Sequence, residues 1–420
     1  MVLAGFPHRP VFVDNPEDVG PQATHQRFQP HGFSLPSALS SVATDRAMTL
    51  QHLAVSGYRS LQSVVLPLRQ LTLITGANGS GKSNLFRSLH LIVAAARGDL
   101  VAALAREGGL PAVLWAGPER LSRGMRNGEQ PVQGGPRQQP VRLRLGFHAE
   151  PFSYALELGY PQERDTAFAL DPAFKGEWIW AGGAFHPRSV LTTWTGGSSD
   201  TADCSVFQGG LDPMEHPEVL ALREQILSWR FYDSFRTDAE APARQAMVGT
   251  RCFALAGDGH DLPAAVQTIL EQGDGQGLQQ AVADAFPDSH LSVSSEGGLF
   301  RLRLHQPGLL RPLETSELSD GTLRYLLLAV ALFSPRLPPL LVLNEPEGSL
   351  HPELLEPLGR LIRAAADRTQ VWVIAHAPAL INALRSDPAC HHVQLQRELG
   401  ATVVQGQTTL ERSAWRWPAR

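Results

Sequence analysis

This chain of 420 residues has little of what would assign it to several large protein classes. It carries three cysteines, Cys204, Cys252 and Cys390, widely spaced and without a Cys-x-x-Cys pair. That excludes a disulfide framework and a cysteine zinc site, and fits reduced thiols in a reducing compartment. No apolar run approaches the roughly 20 residues that a membrane-spanning helix requires. The N-terminus lacks a basic segment followed by an apolar core, so no secretory signal is expected. Neither sign of charge dominates: 36 Lys and Arg stand against 41 Asp and Glu, a net charge of −5. This balance argues against tight non-specific binding of nucleic acid by the whole surface, while leaving room for a local basic patch. There is no internal repeat and no heptad run, so no long coiled-coil arm separates the two ends of the chain. The expectation is a soluble cytoplasmic protein with ample core for one large domain or two modest ones.

What the chain does have is concentrated at residues 76–83, Gly-Ala-Asn-Gly-Ser-Gly-Lys-Ser. Leu71, Leu73 and Ile74 form a short apolar run ending at Thr75, which reads as a buried strand. Asn84 to Ala96 carries Leu85, Leu89, Ile92 and Val93 at helical spacing. Strand, glycine-rich loop and helix are the setting that a phosphate-binding loop needs. Gly76, Gly79 and Gly81 let the N–H groups of Ala77, Asn78 and Ser80 turn towards one centre, and the helix N-terminus adds partial positive charge. In such a loop Lys82 reaches the β- and γ-phosphates of ATP and Ser83 ligates Mg²⁺.

Residues 1–47 are rich in Pro, His and Gln and show no sustained periodicity, so they are expected to be a disordered extension with the functional start at Met48. From there Thr49 to Val55 reads as a strand, Ser56 to Ser60 as a loop and Val64 to Leu68 as extended chain. Leu100 to Arg106 reads as a helix, followed by a long Gly/Pro/Gln-rich loop. Val141, Leu143 and Leu145, then Tyr154, Leu156 and Leu158, alternate with period two, and Glu177 to Ala181 and Val190 to Thr195 continue an antiparallel sheet. Residues 217–229 and 262–285 look helical and Leu299 to Leu304 looks extended. Towards the C-terminus, Leu340 to Leu343 and Val371 to Ile374 are uninterrupted apolar runs, as parallel strands covered on both faces require. Between them Pro352 to Ala366 is an amphipathic helix that Pro357 should bend slightly.

A second set of motifs follows in order. Leu318-Ser319-Asp320-Gly321-Thr322 precedes a strongly apolar helix, Leu323 to Phe333. The strand 340–343 delivers Asn344-Glu345-Pro346-Glu347, and Ser349-Leu350-His351-Pro352 comes next. The strand 371–374 ends in Ala375-His376-Ala377. Ser319 lies 25 residues before Asn344, and His376 lies 32 after it. Taken singly, Ser319 is also a good helix cap and His376 a common kind of buried histidine.

With these motifs the chain resembles the ABC-type ATPases, in particular the branch that contains SMC, RecF-like and OLD-type proteins and bacterial predicted AAA ATPases. The resemblance covers about 48–100 and 315–400. It implies an α/β P-loop NTPase of ABC-ATPase head type, with a mixed or parallel core sheet, an antiparallel β lobe and a helical insert. The implied organisation is an N-terminal lobe at 48–210, an insert at 211–312 and a C-terminal lobe at 313–420. It also implies that Ser319, Asp320 and Gly321 are a signature loop acting on ATP held by a second subunit, in a head-to-tail homodimer. Glu345 corresponds to the general base, His376 to a switch histidine touching the γ-phosphate, and Ser349-Leu350-His351 to a loop coupling two sites. Arg59, in Tyr58-Arg59-Ser60, corresponds to an arginine approaching the nucleotide beside Asn84.

Two positions depart from that pattern. Asn344 stands where an Asp usually holds the Mg²⁺ shell, so weaker Mg²⁺ affinity and slow turnover are expected. Asp320 replaces a glycine of the signature, and its charge should point away from a phosphate, favoured by the helix dipole. No glutamine stands out as a γ-phosphate sensor, and Glu347 is read either as a supporting acid or as part of the turn.

Two readings of function follow. One is an ATP-hydrolysing enzyme coupled to DNA in repair or phage defence, for which Arg120, Arg123, Arg126, Arg137, Arg142 and Arg144 near Trp115, and the interleaved Trp229-Arg230-Phe231-Tyr232 and Phe235-Arg236, offer cations and aromatics. The same stretches also fit a solvated loop and a core strand. The other reading is a dimerisation switch that presents a surface to a protein effector with little hydrolysis. A transporter motor lacks support, a kinase does not fit Glu345 at a strand end, and too few residues follow His376 for a nuclease domain.

Overall fold

The computed structural model describes residues 49–420 apart from 136–137, 162–166, 169, 196–203, 213, 234, 409–410, 412–414 and 419–420. The expectation for residues 1–47 and the proposed role of Arg137 lie outside these described residues.

β1 (Thr49–Tyr58) and β2 (Leu61–Pro67) form a hairpin, followed by β3 (Leu71–Gly76). The strand reaches Tyr58, three residues beyond the expected end at Val55, because Tyr58 still pairs with Leu61 and only Arg59 and Ser60 turn. Four helices come next: α1 (Lys82–Arg97), α2 (Leu100–Arg106), α3 (Gly109–Val113) and α4 (Arg123–Arg126). β4 (Leu143–Glu150), β5 (Phe152–Gly159), β6 (Ala173–Ala181) and β7 (Val190–Trp194) then join β1 and β2 in an antiparallel sheet of order β2-β1-β4-β5-β6-β7. Its alternation places Leu53, Leu145, Phe147, Tyr154 and Leu156 in the same core cluster as the apolar residues of α1. Ala54, Ala155, Trp178 and Trp180 pack instead with Trp415.

α5 (Pro217–Ser228) leads to β8 (Arg230–Tyr232), and β9 (Met247–Val248) to α6 (Leu262–Gln272) and α7 (Gly275–Ala285). The single helical span expected at 262–285 is broken at Gly273, and Asp274 caps the second helix by accepting from the Gly277 N–H at 2.8 Å. β10 (His290–Glu296), β11 (Leu299–His305) and β12 (Leu313–Glu314) form a small sheet with β9. The last elements are α8 (Asp320–Phe333), β13 (Leu340–Asn344), α9 (Leu355–Ala366), β14 (Gln370–Ile374), α10 (Pro378–Arg385), β15 (Cys390–Glu398) and β16 (Ala401–Val404). Pro357 falls in the first turn of α9, where its missing N–H has no helical acceptor to lose, so no bend is needed.

The central sheet has the order β16-β15-β3-β14-β13-β8, parallel except for β16. Its continuous apolar runs split by period two. Ile74, Leu340, Val342, Trp372 and Ile374 pack on the side of α1 and the antiparallel sheet. Leu71, Leu73, Leu341, Leu343, Val371 and Val373 pack on the side of α6 to α10. Both faces are covered, as such runs require. α8 is buried from Leu323 through Leu332, as a helix apolar on all sides must be. Segments 48–210, 211–312 and 313–420 all contribute to this sheet: β3 from the first, β8 from the second and β13 to β16 from the third.

Inside the antiparallel sheet Glu177 is wholly buried, with the Tyr154 and Ser205 hydroxyls and the Val206 N–H donating to it. Burial pushes its carboxyl up from 4.5 to about 7. The folded state therefore holds a proton that the unfolded chain has released between these values, so stability falls as pH rises through that window. Relative to Glu177→Gln, the wild type should lose at most about 3 kcal/mol between pH 4.5 and 7.5, measured by urea unfolding. A wild-type-to-variant difference that does not change with pH would contradict this.

Candidate functional site

The C-terminal ends of the parallel strands form one edge. Register aligns Ile74 with Ile374, Ile374 with Asn344, and Leu343 with Tyr232. The loop after β3, His376 after β14, Glu345 after β13 and Asp233 after β8 therefore follow one another along that edge, on strands spaced about 4.8 Å apart. This is the edge at which open parallel sheets take ligands.

The loop 76–83 is held from several sides. The Ser80 N–H bonds the Ala77 carbonyl at 3.0 Å, and the Thr402 hydroxyl donates to the Ser80 carbonyl at 2.8 Å. Gly81, at φ 107°, leaves no room for a side chain, since a Cβ would meet the Thr402 hydroxyl at 2.1 Å. Lys82 is buried, with its ammonium on the Gly76 carbonyl at 2.6 Å and 3.3 Å from that of Ala77. Ala77, Asn78, Gly79 and Ser83 are exposed at the mouth. Asn84 donates to the Ser60 hydroxyl at 2.9 Å, which ties the turn after β1 to α1. Arg59 adopts φ 47° in that turn, and its guanidinium meets Glu107 at 2.7 and 3.1 Å. Its charge is thus engaged by Glu107, the residue after α2.

On the next strands, Glu345 is exposed and adopts φ 47°, an unusual conformation for a glutamate, while its N–H bonds the Ile374 carbonyl at 2.8 Å. Strain of this kind gathers at functional sites. Glu347 is almost fully buried, and one carboxylate oxygen accepts the N–H groups of His376 at 2.5 Å and Ala377 at 2.9 Å. The His376 Nδ1 lies 3.3 Å from the same oxygen. Glu347 therefore anchors the histidine loop to the turn after β13, which the sequence had left undecided. Arg324, buried in α8, donates to the carbonyls of Asp233 at 3.2 Å and Glu345 at 3.1 Å. Burial holds its guanidinium below the ordinary arginine value, against the pull of Asp233, Glu347 and Glu345.

Ser319 caps α8, its hydroxyl accepting from the Thr322 N–H at 3.1 Å, and it remains exposed. Asp320 is turned to Arg244 at 2.9 Å, and Arg244 also donates to the carbonyls of Thr315 and Leu318 at 2.6 and 2.9 Å. A Cβ on Gly321 would lie 2.9 Å from the Ser349 carbonyl, so the signature and the Ser349-Leu350-His351 loop are neighbours. Among the described residues no hydrogen bond joins 319–321 to the loop 76–83 of the same chain.

Of the two readings of 229–236, the structure matches the core strand. Trp229, Tyr232 and Phe235 are buried, Phe231 packs against His90 of α1, and Arg236 is paired with Asp238 at 2.8 Å. Arg142 and Arg144 both bind Glu157, at 2.7 and 2.8 Å, whereas Arg120, Arg123 and Arg126 are exposed. Sequence reasoning missed Asp233, Arg324, Arg244 and Glu107. A single cation inside the otherwise apolar α8 is the one signal that could have found Arg324.

The oxygens available at the edge, from the Ser83 hydroxyl, the Asn344 amide and the Asp233 carboxylate, are hard donors that suit Mg²⁺. Among the described residues no cluster of three or more His, Cys, Asp or Glu could hold a metal by itself.

Residues 214–382 match the family described as "AAA domain, putative AbiEii toxin, Type IV TA system". No curated protein matches the chain significantly in sequence. Among solved structures it is similar to the SmcHead bound to the C-winged helix domain of ScpA, at 14% identity over 84% of this chain and 96% of that one, with a TM-score of 0.44. It is likewise similar to the SMC head domain from Thermotoga maritima, at 14% identity over 84% of this chain and 97% of that one, with a TM-score of 0.42. At such scores the weight rests on the loop, the strand order and the motif spacing.

Proposed function

We propose that this chain is a P-loop ATPase of the ABC and SMC head type, which binds ATP with Mg²⁺ at residues 76–84 and hydrolyses it as a head-to-tail homodimer. The observation that carries the reading is the common sheet edge, which sets the loop, His376 and Glu345 side by side. Lys82 exchanges its contacts with the Gly76 and Ala77 carbonyls for phosphate oxygens, and the loop N–H groups hold the β-phosphate. Glu345, exposed and aimed by a constrained backbone, takes a proton from the attacking water. His376, positioned by Glu347, donates to the γ-phosphate. The metal, when bound, neutralises charge shared between the β- and γ-phosphates. Among the described residues no hydrogen bond ties Ser319 or Gly321 to their own loop, and the exposed Ser319 hydroxyl is open to nucleotide held by a second copy.

Coupling to DNA in repair or defence has narrower support, since only Arg120, Arg123 and Arg126 of the described basic stretch stand exposed and apart from a carboxylate partner. A switch with little hydrolysis is favoured by one observation, the amide at Asn344.

Steady-state ATP hydrolysis with and without double-stranded DNA, combined with mass measurement in ATP, tests these readings. Ser319→Arg should abolish ATP-dependent dimerisation and turnover while leaving binding of a fluorescent ATP analogue unchanged. Wild-type turnover in that variant would rule out the head-to-tail arrangement. Stimulation by DNA supports the repair or defence reading, and dimerisation without turnover supports the switch.

A further inference from the structure

We propose that Asp233 supplies the carboxylate that Asn344 lacks, so that the two residues together form the protein's acceptor for the Mg²⁺ shell. The proposal rests on the reading of residues 76–84 as an Mg²⁺-ATP site and assigns its second pole. Asp233 is the first residue beyond β8, and Leu343 pairs with Tyr232, so Asp233 and Asn344 are neighbours at the last rung of the ladder. The Asn344 Nδ2 donates to the Asp233 Oδ1 at 2.7 Å. This bond fixes the amide, since its nitrogen faces Asp233 and its oxygen is turned elsewhere, available to a metal-bound water.

The contact also explains why position 344 is an amide. A carboxylate there would sit within hydrogen-bond distance of a second carboxylate, and two such charges cannot both ionise readily. With one Asp and one Asn the pair carries a single negative charge, the same as an Asp beside a neutral partner. The weaker Mg²⁺ affinity expected from the sequence assumed that this charge was missing from the site.

Position supports the assignment. Ser83, Phe86 and His90 fall at i, i+3 and i+7 along α1 and so share one face. Phe86 and His90 meet Phe231 of β8, with ring centroids 5.9 and 4.2 Å apart. The face of α1 that bears Ser83 is therefore the one turned to the strand that ends in Asp233. Arg324 holds the Asp233 carbonyl and the Glu345 carbonyl with the same nitrogen, so Asp233 is fixed relative to the candidate base. Of the other acids at this edge, Glu347 is engaged by the His376 and Ala377 N–H groups, and Glu345 is assigned to water.

The test uses the full chain, with Mn²⁺ as the probe, titrated by electron paramagnetic resonance in the presence of a non-hydrolysable ATP analogue. Binding of a fluorescent ATP analogue in EDTA is measured separately. Asp233→Asn should weaken Mn²⁺ binding by about tenfold or more and leave nucleotide binding in EDTA unchanged. The swap Asp233→Asn with Asn344→Asp should restore Mn²⁺ affinity to within about threefold, because it returns one charge to the pair. Unchanged Mn²⁺ affinity in Asp233→Asn overturns the proposal. A loss that the swap leaves unrepaired also overturns it, because a merely structural Asp233 would behave that way. A wild-type protein that binds no nucleotide in either Mg²⁺ or EDTA overturns the nucleotide-site reading itself, an outcome distinct from both.

Discussion

Glu345→Gln is expected to lower ATP turnover by two to four orders of magnitude while leaving ATP affinity within about threefold, the range for loss of a positioned general base. The physical case begins with the backbone. Glu345 is held at φ 47° by its own N–H on the Ile374 carbonyl and by Arg324 on its carbonyl oxygen. Its side chain is exposed at the sheet edge, one residue beyond β13 and two strands from the phosphate loop. Gln preserves size and conformation and removes only the ability to accept a proton. ATP-bound dimers should therefore accumulate in the variant. Phosphate release and analogue binding measured side by side check this, and turnover within about threefold of wild type would remove Glu345 from the chemistry.

Glu347→Ala is expected to destabilise the protein by about 2–4 kcal/mol and to abolish turnover. One buried oxygen of Glu347 accepts two backbone N–H groups, those of His376 and Ala377, and bonds to a charged acceptor are the stronger kind. Alanine would leave both donors without that acceptor and release the histidine loop from the turn after β13. Glu347→Gln keeps an acceptor oxygen of the same reach and should recover most of the stability. Urea unfolding of the two variants separates these effects. A loss below about 0.5 kcal/mol in Glu347→Ala would show that the loop is held by other contacts.

The difference between these two acids illustrates how legible the site is. Glu345 and Glu347 are two residues apart and chemically alike, and their motif is visible in the chain. Which of them is exposed and which is buried under the histidine loop depends on strand β14, far along the sequence. The same holds for Asp320. Its charge beside an expected phosphate site was a puzzle in sequence, and Arg244, 76 residues earlier, accounts for it. The aromatic and basic stretch at 229–236 stayed open between two readings for the opposite reason. A three-residue strand is too short for periodicity, so only the packing of Phe231 on α1 decided for the core strand.

The sequence by itself determined the elements whose information is local: the phosphate loop between strand and helix, the apolar parallel strands, the alternating antiparallel strands and the apolar helix after Ser319. Glycine placement and hydrophobic period act over a few residues, so they can be read there. Only the tertiary structure decided which strands share an edge, that β8 completes the central sheet, and that Arg324, Glu347 and Asp233 meet the motifs. Those contacts depend on strand order and register across hundreds of residues. A linear pattern does not encode such pairings, because each is set by which buried faces close on one another.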